Sequence, residues 1–424
     1  MSITNAMYSA TSALMAQSKA LASISSNIAN SSTTGFKSTG TSFQSFINQT
    51  EAVDERTGGV LAYNYRNNAA QGDIQSSAVT TNLAVNGSGF FVVSDDSADG
   101  DIRYTRNGSF STDEDGYLTN SEGYYLYGWA LDDDGSVSAR NKGSVDSLEA
   151  INTTAIKGTP KATTTMGIDA NLPSDAETGD DFTSDVEVFD SLGNSHSITL
   201  TWTKTGENTW TLDADDPTLS SNSATTTGTV GGVPVTITFN DDGTPASFSP
   251  ASPSLTVGGW TTGAADSSIT LDLGTVDGND GLTQHASEDS EPSVTVETTT
   301  QNGHAPGTLT GTTIDEDGTV RAVFDNGETR AVYRIPIATF ANSDGLDSET
   351  GSTFMQTYES GQVQLRTAGE NGSGTIEAGA LESSTVELTD EFTRMIVAQQ
   401  AYSAASKVMT TAQDMLDTLI SMKR

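Results

Sequence analysis

The residue types that carry chemistry are sparse in this chain and lack the spacing that chemistry needs. The three histidines, His196, His285 and His304, fall in separate parts of the sequence with no ligand interval between them, and they read as ordinary surface or turn residues. Cysteine is absent, which excludes a disulfide framework, a thiolate metal site and a cysteine nucleophile. There is no Gly-x-Ser-x-Gly elbow and no phosphate-cradling loop, so Gly87-Ser-Gly89 and Gly372-Ser-Gly374 read as turns. Carboxylates are plentiful, yet the sequence singles out no acid/base pair. The run Ser111-Thr-Asp113-Glu-Asp115-Gly116, followed by Glu122, approaches a calcium loop. Its first position is Ser where Asp is wanted, and its flanks read as strands, so a hairpin turn is the preferred reading here and at Asp132–Gly135 and Asp315–Gly318. No catalytic, cofactor-binding or metal residue is assigned, and the sequence reads as that of a non-enzyme.

Composition bounds what the chain can do instead. At 424 residues it is long enough for two or three domains with real cores. Gly, Thr and Ser are dense through the middle, a mixture that suits short strands joined by many turns. A formal net charge of −37 offers no basic face to phosphates, which excludes nucleic acid and anionic membrane as partners. The charge is uneven: Lys19 is the only charged residue before Gly35, and the last segment balances Asp390, Glu391, Asp414 and Asp417 against Arg394, Lys407, Lys423 and Arg424. Ends packed against protein and a middle facing water would give this pattern. No stretch is apolar enough to cross a membrane, and no basic, signal-like N-terminal region is present, so the reading is a cytosolic protein or one exported without a cleaved signal.

The elements that organise the chain are its two ends. Met395, Ala398, Tyr402, Ala405, Met409, Ala412, Leu416 and Leu419 recur at alternating steps of three and four, which lines one stripe of a helix. Ile3, Met7, Ala10, Leu14, Gln17, Leu21, Ile24 and Ile28 repeat the pattern at the start. Both stripes have the a/d spacing of a coiled-coil seam, and the alanines allow close approach. Two readings stay open: the helices close one intramolecular coiled coil, or they are also the surface through which copies assemble. A helix of about 30 residues, about 45 Å long, cannot bury several faces against one partner. The small residues flanking both seams (Ala6, Ala13, Ala20, Ala401, Ala404) therefore favour assembly.

Between the ends, the fold class reads as multidomain and mainly β, with long helical N- and C-terminal segments pairing as a coiled coil. Residues 1–30 form the N-terminal helix and 31–70 an extended connector with little periodicity, stopped at its start by Gly35. Residues 71–149 form the first part of an inner β domain, 150–287 an outer β domain inserted into it, and 288–365 the second part. A connector over 366–380 leads to the C-terminal helix, 381–424. Val186–Phe189, residues 197–203, 209–212, 233–239 and 268–273 alternate as half-buried strands should.

Several separate motifs then carry a resemblance. They are Ser25-Ser-Asn-Ile-Ala-Asn30 with Thr33-Thr-Gly-Phe-Lys37, Gly87-Ser-Gly-Phe-Phe91, Tyr104-Thr-Arg-Asn-Gly-Ser-Phe110 and Asp115-Gly-Tyr-Leu118. Towards the C-terminus come Gly379-Ala-Leu-Glu-Ser-Ser384, Glu391-Phe392 and Gln399–Tyr402. In this order they resemble the bacterial flagellar rod–hook axial protein family, most closely its hook branch. The matching motif residues are Asn27, Asn30, Thr34, Gly35, Phe36, Lys37, Gly87, Gly89, Phe90 and Phe91. Departures from the family pattern occur at Gln400, Ala405-Ser406 and Thr385, each of which should remove a polar contact.

The resemblance implies a structural subunit that self-assembles helically through its terminal helices into a flexible curved tube. That tube joins rod to filament, transmits torque as a universal joint, and lies outside the cell on the basal body. It also implies partners: the distal rod protein, the hook-associated junction proteins, the hook cap and the flagellar type III export gate. The exposed Phe36-Lys-Ser stretch, with Phe43 and Phe46, is a candidate export-gate contact, with structural apolar anchoring an equal alternative. The rivals are the distal rod protein of the same family, normally without the block at 150–287, and a secreted β-rich adhesin, which has no use for a seam at both ends. On this reading Leu21→Asp or Leu416→Asp blocks polymerisation while the β domains stay folded, checked by sedimentation together with circular dichroism; normal polymers from either variant contradict the seam assignment.

Overall fold

The computed structural model describes residues 3–48, 56–98, 100–132, 134–138, 141–154, 156–287 and 291–422. Lys423 and Arg424, counted above in the charge balance, lie outside the described residues, as do residue 288, where the second part of the inner domain was placed, and the side chain of Phe46. The protein is mainly β, with one helix at each end, α1 (Ile3–Ala29) and α2 (Leu388–Met422), packed against each other. Neither helix contains Gly or Pro, and α2 opens with Asp390 and Glu391 in its first turn, where carboxylates complement the helix dipole. It begins at Leu388, later than the expected 381, because Ala380–Glu382 is committed to a strand.

The chain divides into two compact units. The first comprises Met1–Ile156, Thr310–Val323 and Thr329–Arg424; the second comprises Lys157–Leu309 and Phe324–Glu328. The division differs from the expected 150–287 chiefly at its far end. Thr295–Gln301 pairs antiparallel with Thr165–Pro173 and so belongs to the second unit. In the first unit, residues 39–66 also differ from expectation. Instead of an extended connector they form an antiparallel hairpin, β1 (Thr39–Asn48) and β2 (Arg56–Arg66), packed along α1.

The main sheet of the first unit runs through Thr329–Arg334, Tyr125–Ala130, Phe91–Ser94 and Ile102–Thr105. Alternation sends Phe91, Val93 and Leu126 into one core and Phe90, Val92, Tyr127 and Trp129 into another, so this sheet is covered on both faces. Gly89 sits at φ +128°, and a Cβ there would lie 2.0 Å from Ile337 Cγ2, so the turn before Phe90 requires glycine.

The second unit builds one core from two sheets. Met166, Ile168, Leu255 and Ile269 come from one sheet, and Ile198, Leu200, Trp202, Trp210 and Ile237 from the other. The strand Ser195–Gly206 alternates strictly, and its core-facing phase includes His196. His196 is thus fully buried and not a surface residue. Its Nδ1 lies 2.8 Å from Thr227 Oγ1 and its Nε2 3.3 Å from Asp190 Oδ2, and its ring packs on Trp260. Asp190 is also fully buried and accepts from the Thr262 hydroxyl (2.7 Å), the Asn194 amide (2.9 Å) and the Leu192 and Asn194 backbone N–H groups (2.9 Å each). Burial alone would raise its carboxyl, but these donors outweigh burial and bring it from 3.8 down to about 2.

A depressed folded value stabilises the fold above the unfolded value and loses that stabilisation as the pH falls through the folded one. Asp190→Ala is therefore expected to lower the stability of this unit by about 2 kcal/mol at neutral pH, the gap from wild type closing between about pH 4 and pH 2. Urea denaturation followed by tryptophan emission reads this unit well, because Trp202, Trp210 and Trp260 all belong to it. Equal midpoints at neutral pH contradict the assignment.

Candidate assembly interface

The two helices pack against each other, and the residues of the expected stripes differ in burial. Ala10, Ile24, Ala398 and Ala412 are buried, and Ile3, Met7, Leu14, Leu21, Ile28, Met395, Ala405, Met409 and Leu416 are half-buried. Tyr402 and Leu419, expected on the same stripe, are exposed. A second stripe on α1, formed by Ala16, Ala20, Ser23 and Asn27, is buried too. Its small residues let the hairpin come close: Ser23 Oγ and Asn27 Nδ2 each donate to Thr39 O at 2.9 Å, and Thr39 N–H donates to Asn27 Oδ1 at 2.9 Å. Asn27 also donates to Glu391 Oε1 of α2 at 3.1 Å, so one amide ties α1, the hairpin and α2 together.

Beyond the helices, three distant segments converge on the carboxylate of Glu382. Lys37 Nζ lies 2.5 Å from Oε1 and also donates to Ala70 O, Gly72 N–H donates to Oε1 at 2.7 Å, and Arg106 Nη1 donates to Oε2 at 3.0 Å. Arg106 continues to Gly87 O at 2.7 Å and stacks over the Phe90 ring at 5.3 Å. Lys37, Arg106 and Glu382 are all buried, and burial lowers the Lys37 ammonium, opposed by the carboxylate beside it. Gly35, at φ +68°, permits the approach: a Cβ there would sit 2.7 Å from the Arg106 carbonyl carbon and the Asn107 nitrogen. Its N–H donates to Glu382 O at 2.8 Å. Three of the sequence motifs therefore meet at one point: the loop after α1, the Tyr104–Phe110 run, and the strand before α2.

Known proteins match this sequence over most of its length. The family description "Flagella basal body rod protein" fits residues 7–37, and "Flagellar hook protein FlgE/F/G D1 domain" fits 84–175. "Flagellar basal body protein FlaE D2 domain" fits 150–304, and "Flagellar basal body rod FlgEFG protein C-terminal" fits 377–422. The flagellar hook protein FlgE of Rhizobium meliloti is 34% identical over 373 residues, 87% of this chain and 86% of that protein. The chain belongs to the flagellar hook protein family. FlgE of Escherichia coli K12 is 32% identical over 80% of this chain and 82% of its own length. The crystal structure of Helicobacter pylori FlgE2 aligns with a TM-score of 0.49 and 16% identity, covering 73% of this chain and 100% of that one.

Within this hook-family chain, the motif residues sort by what they touch. Asn27, Gly35, Lys37, Phe90 and Phe91 are buried, whereas Asn30 closes the end of α1 by donating to Ser26 O at 2.8 Å. Thr34 and Phe36 are half-buried, and Gly87, at φ +112°, is a turn residue whose N–H donates to Gln71 Oε1. The expected exposure of Phe36-Lys-Ser is corrected: the Lys37 ammonium is taken up by Glu382 and Ala70, and Phe36 is held by its carbonyl, which accepts from Thr385 N–H at 3.1 Å. Thr385 retains a polar role as well, accepting from Ser38 N–H at 2.9 Å.

Sequence reasoning placed Arg106, Glu382 and Glu391 inside quoted motifs but assigned none of them a role. A buried cation with no partner is strongly destabilising, so Glu382→Ala should cost about 3–5 kcal/mol. Hydrogen exchange should show the loss as faster exchange in 35–37 and 104–108. Unchanged protection there contradicts the role given to Glu382.

Proposed function

We propose that this chain is the structural subunit of a bacterial flagellar hook, polymerising helically through its terminal helices into a curved, flexible tube that transmits torque. The observation that carries this reading is what the packed helices leave uncovered. α2 presents Phe392, Ile396 and Val397 at 51%, 55% and 61% exposure, and α1 presents Tyr8 and Met15 at 76% and 69%. Apolar surface at both ends of one helix pair, on the parts of a strongly acidic chain with the smallest net charge, suits copies that pack by their ends. Family membership supports the same reading, and the inserted second unit favours the hook over the shorter distal rod protein. The adhesin alternative leaves the exposed helix faces without a purpose.

On this reading the protein acts by assembly and not by catalysis, and its place is the extracellular hook on the basal body. The partners are the distal rod protein at one end, the hook-associated junction proteins at the other, the hook cap during growth and the type III export gate before it. Among the described residues no helix is long and apolar enough to cross a membrane. Bending is assigned to weak polar contacts made by the acidic second unit, since such contacts exchange at lower cost than a dry, close-packed core.

One face of the strand Asp181–Phe189 illustrates that surface. Asp181, Asp185 and Glu187 are exposed along it, and each accepts from a hydroxyl on the neighbouring strand: Thr203, Thr199 and Ser195. The triple replacement Asp181→Asn, Asp185→Asn, Glu187→Gln is expected to alter the curvature or bending stiffness of hooks seen by electron microscopy while leaving assembly intact. Wild-type stiffness contradicts the bending mechanism, and failure of the unmodified chain to restore hooks in a hook-deficient cell contradicts the function.

A further inference from the structure

A groove of about 350 Å³ lies between α1, the hairpin and α2, lined among others by Ile24, Phe43, Tyr65, Val397 and Ala398. Glu391 completes the lining. This residue is only 3% exposed, its Oε1 accepts from Asn27 at 3.1 Å and from Arg394 Nη1 at 3.5 Å, and its buried Oε2 has no hydrogen-bond partner among the described residues. A buried carboxylate oxygen without a donor is costly, so a donor brought to it from the groove side would be favourable.

Elsewhere on the same chain, α1 carries the complementary chemistry. Tyr8 and Met15 lie two turns apart on one face and are the exposed large apolar residues of that helix. Tyrosine combines an apolar ring with a hydroxyl donor, which suits an apolar groove holding an unpartnered acceptor. Resting on the hook-subunit reading above, we propose that the Tyr8–Met15 face of one copy seats in the α1–hairpin–α2 groove of the next, with the Tyr8 hydroxyl donating to Glu391 Oε2. Two features favour a second copy as the occupant. The stretch up to Lys19 carries no charged side chain, so it can approach another acidic chain without like-charge repulsion. The knob and the groove occupy different surfaces of one chain, so the contact is heterologous, the class of contact from which open helical polymers are built.

The chain's lack of cysteine makes the test clean. Full-length Tyr8→Cys/Val397→Cys is polymerised, oxidised and run on a non-reducing gel. The expected result is a ladder of covalent dimers, trimers and longer species, where each single-cysteine variant stops at the dimer. Polymers that give no ladder overturn the pairing. A second measurement covers the case in which the cysteine pair does not polymerise. Tyr8→Phe keeps the ring, and it should raise the critical concentration roughly tenfold. In a Glu391→Ala background the same change should have no effect. Additive effects of the two changes overturn the contact. An unmodified chain that forms no polymer at all would overturn the hook-subunit reading along with it, whereas wild-type polymers without the ladder or the coupling remove only this contact.

Discussion

A single buried carboxylate holds the ends of this chain to its β framework. Glu382 is the common acceptor for Lys37, Gly72 and Arg106, and it lies just ahead of α2. The cations come from the loop after α1 and from a sheet loop of the first unit, 345 and 276 residues away from Glu382 in sequence. Two cations taken out of water would each be strongly unfavourable alone, so the geometry around Glu382 must be met together or not at all. That makes the cluster a poor source of net stability but a strict specification of where the helices leave the sheet. Asn27 repeats the principle on a smaller scale by satisfying both the hairpin and α2.

With the helix roots fixed, the remaining surface of the helices becomes the variable part. Their shared seam is built from small and half-buried residues, so the pair is slim and leaves apolar side chains facing outward. Those outward faces sit where the net charge is smallest, since α1 carries only Lys19 and α2 partly balances its acids with bases, while the excess of acidic residues gathers on the two β units. On the proposed function, apolar burial would drive association at the ends, where like-charge repulsion is weakest.

How much of this the sequence discloses depends on distance along the chain. The helices are legible because periodicity is local: uninterrupted steps of three and four, with no Gly or Pro, leave one reading. Strands such as Ser195–Gly206 are legible for the same reason, and the alternation that carries Ile198, Leu200 and Trp202 inward also carries His196 inward, a consequence that the residue's polarity conceals. The hairpin escapes notice because its polarity is inverted. Leu61, Tyr63 and Tyr65 face outward at 44–58% exposure, while the less exposed Val60 and Ala62 belong to the face toward α1. A pattern rule that sends large apolar residues inward has no purchase there. Glu382 and Glu391 are illegible for a different reason, since a lone carboxylate in sequence carries no sign of partners hundreds of residues away.

The central claim is that assembly happens through the terminal helices and not through the acidic units. Hydrogen exchange on the free subunit and on the polymer addresses it most directly. The account predicts that amides in 3–29 and 388–422 gain strong protection on polymerisation, while those in the core strands of 157–309 change little. Protection gained mainly in 157–309, with the helices exchanging as they do in the free subunit, would contradict it.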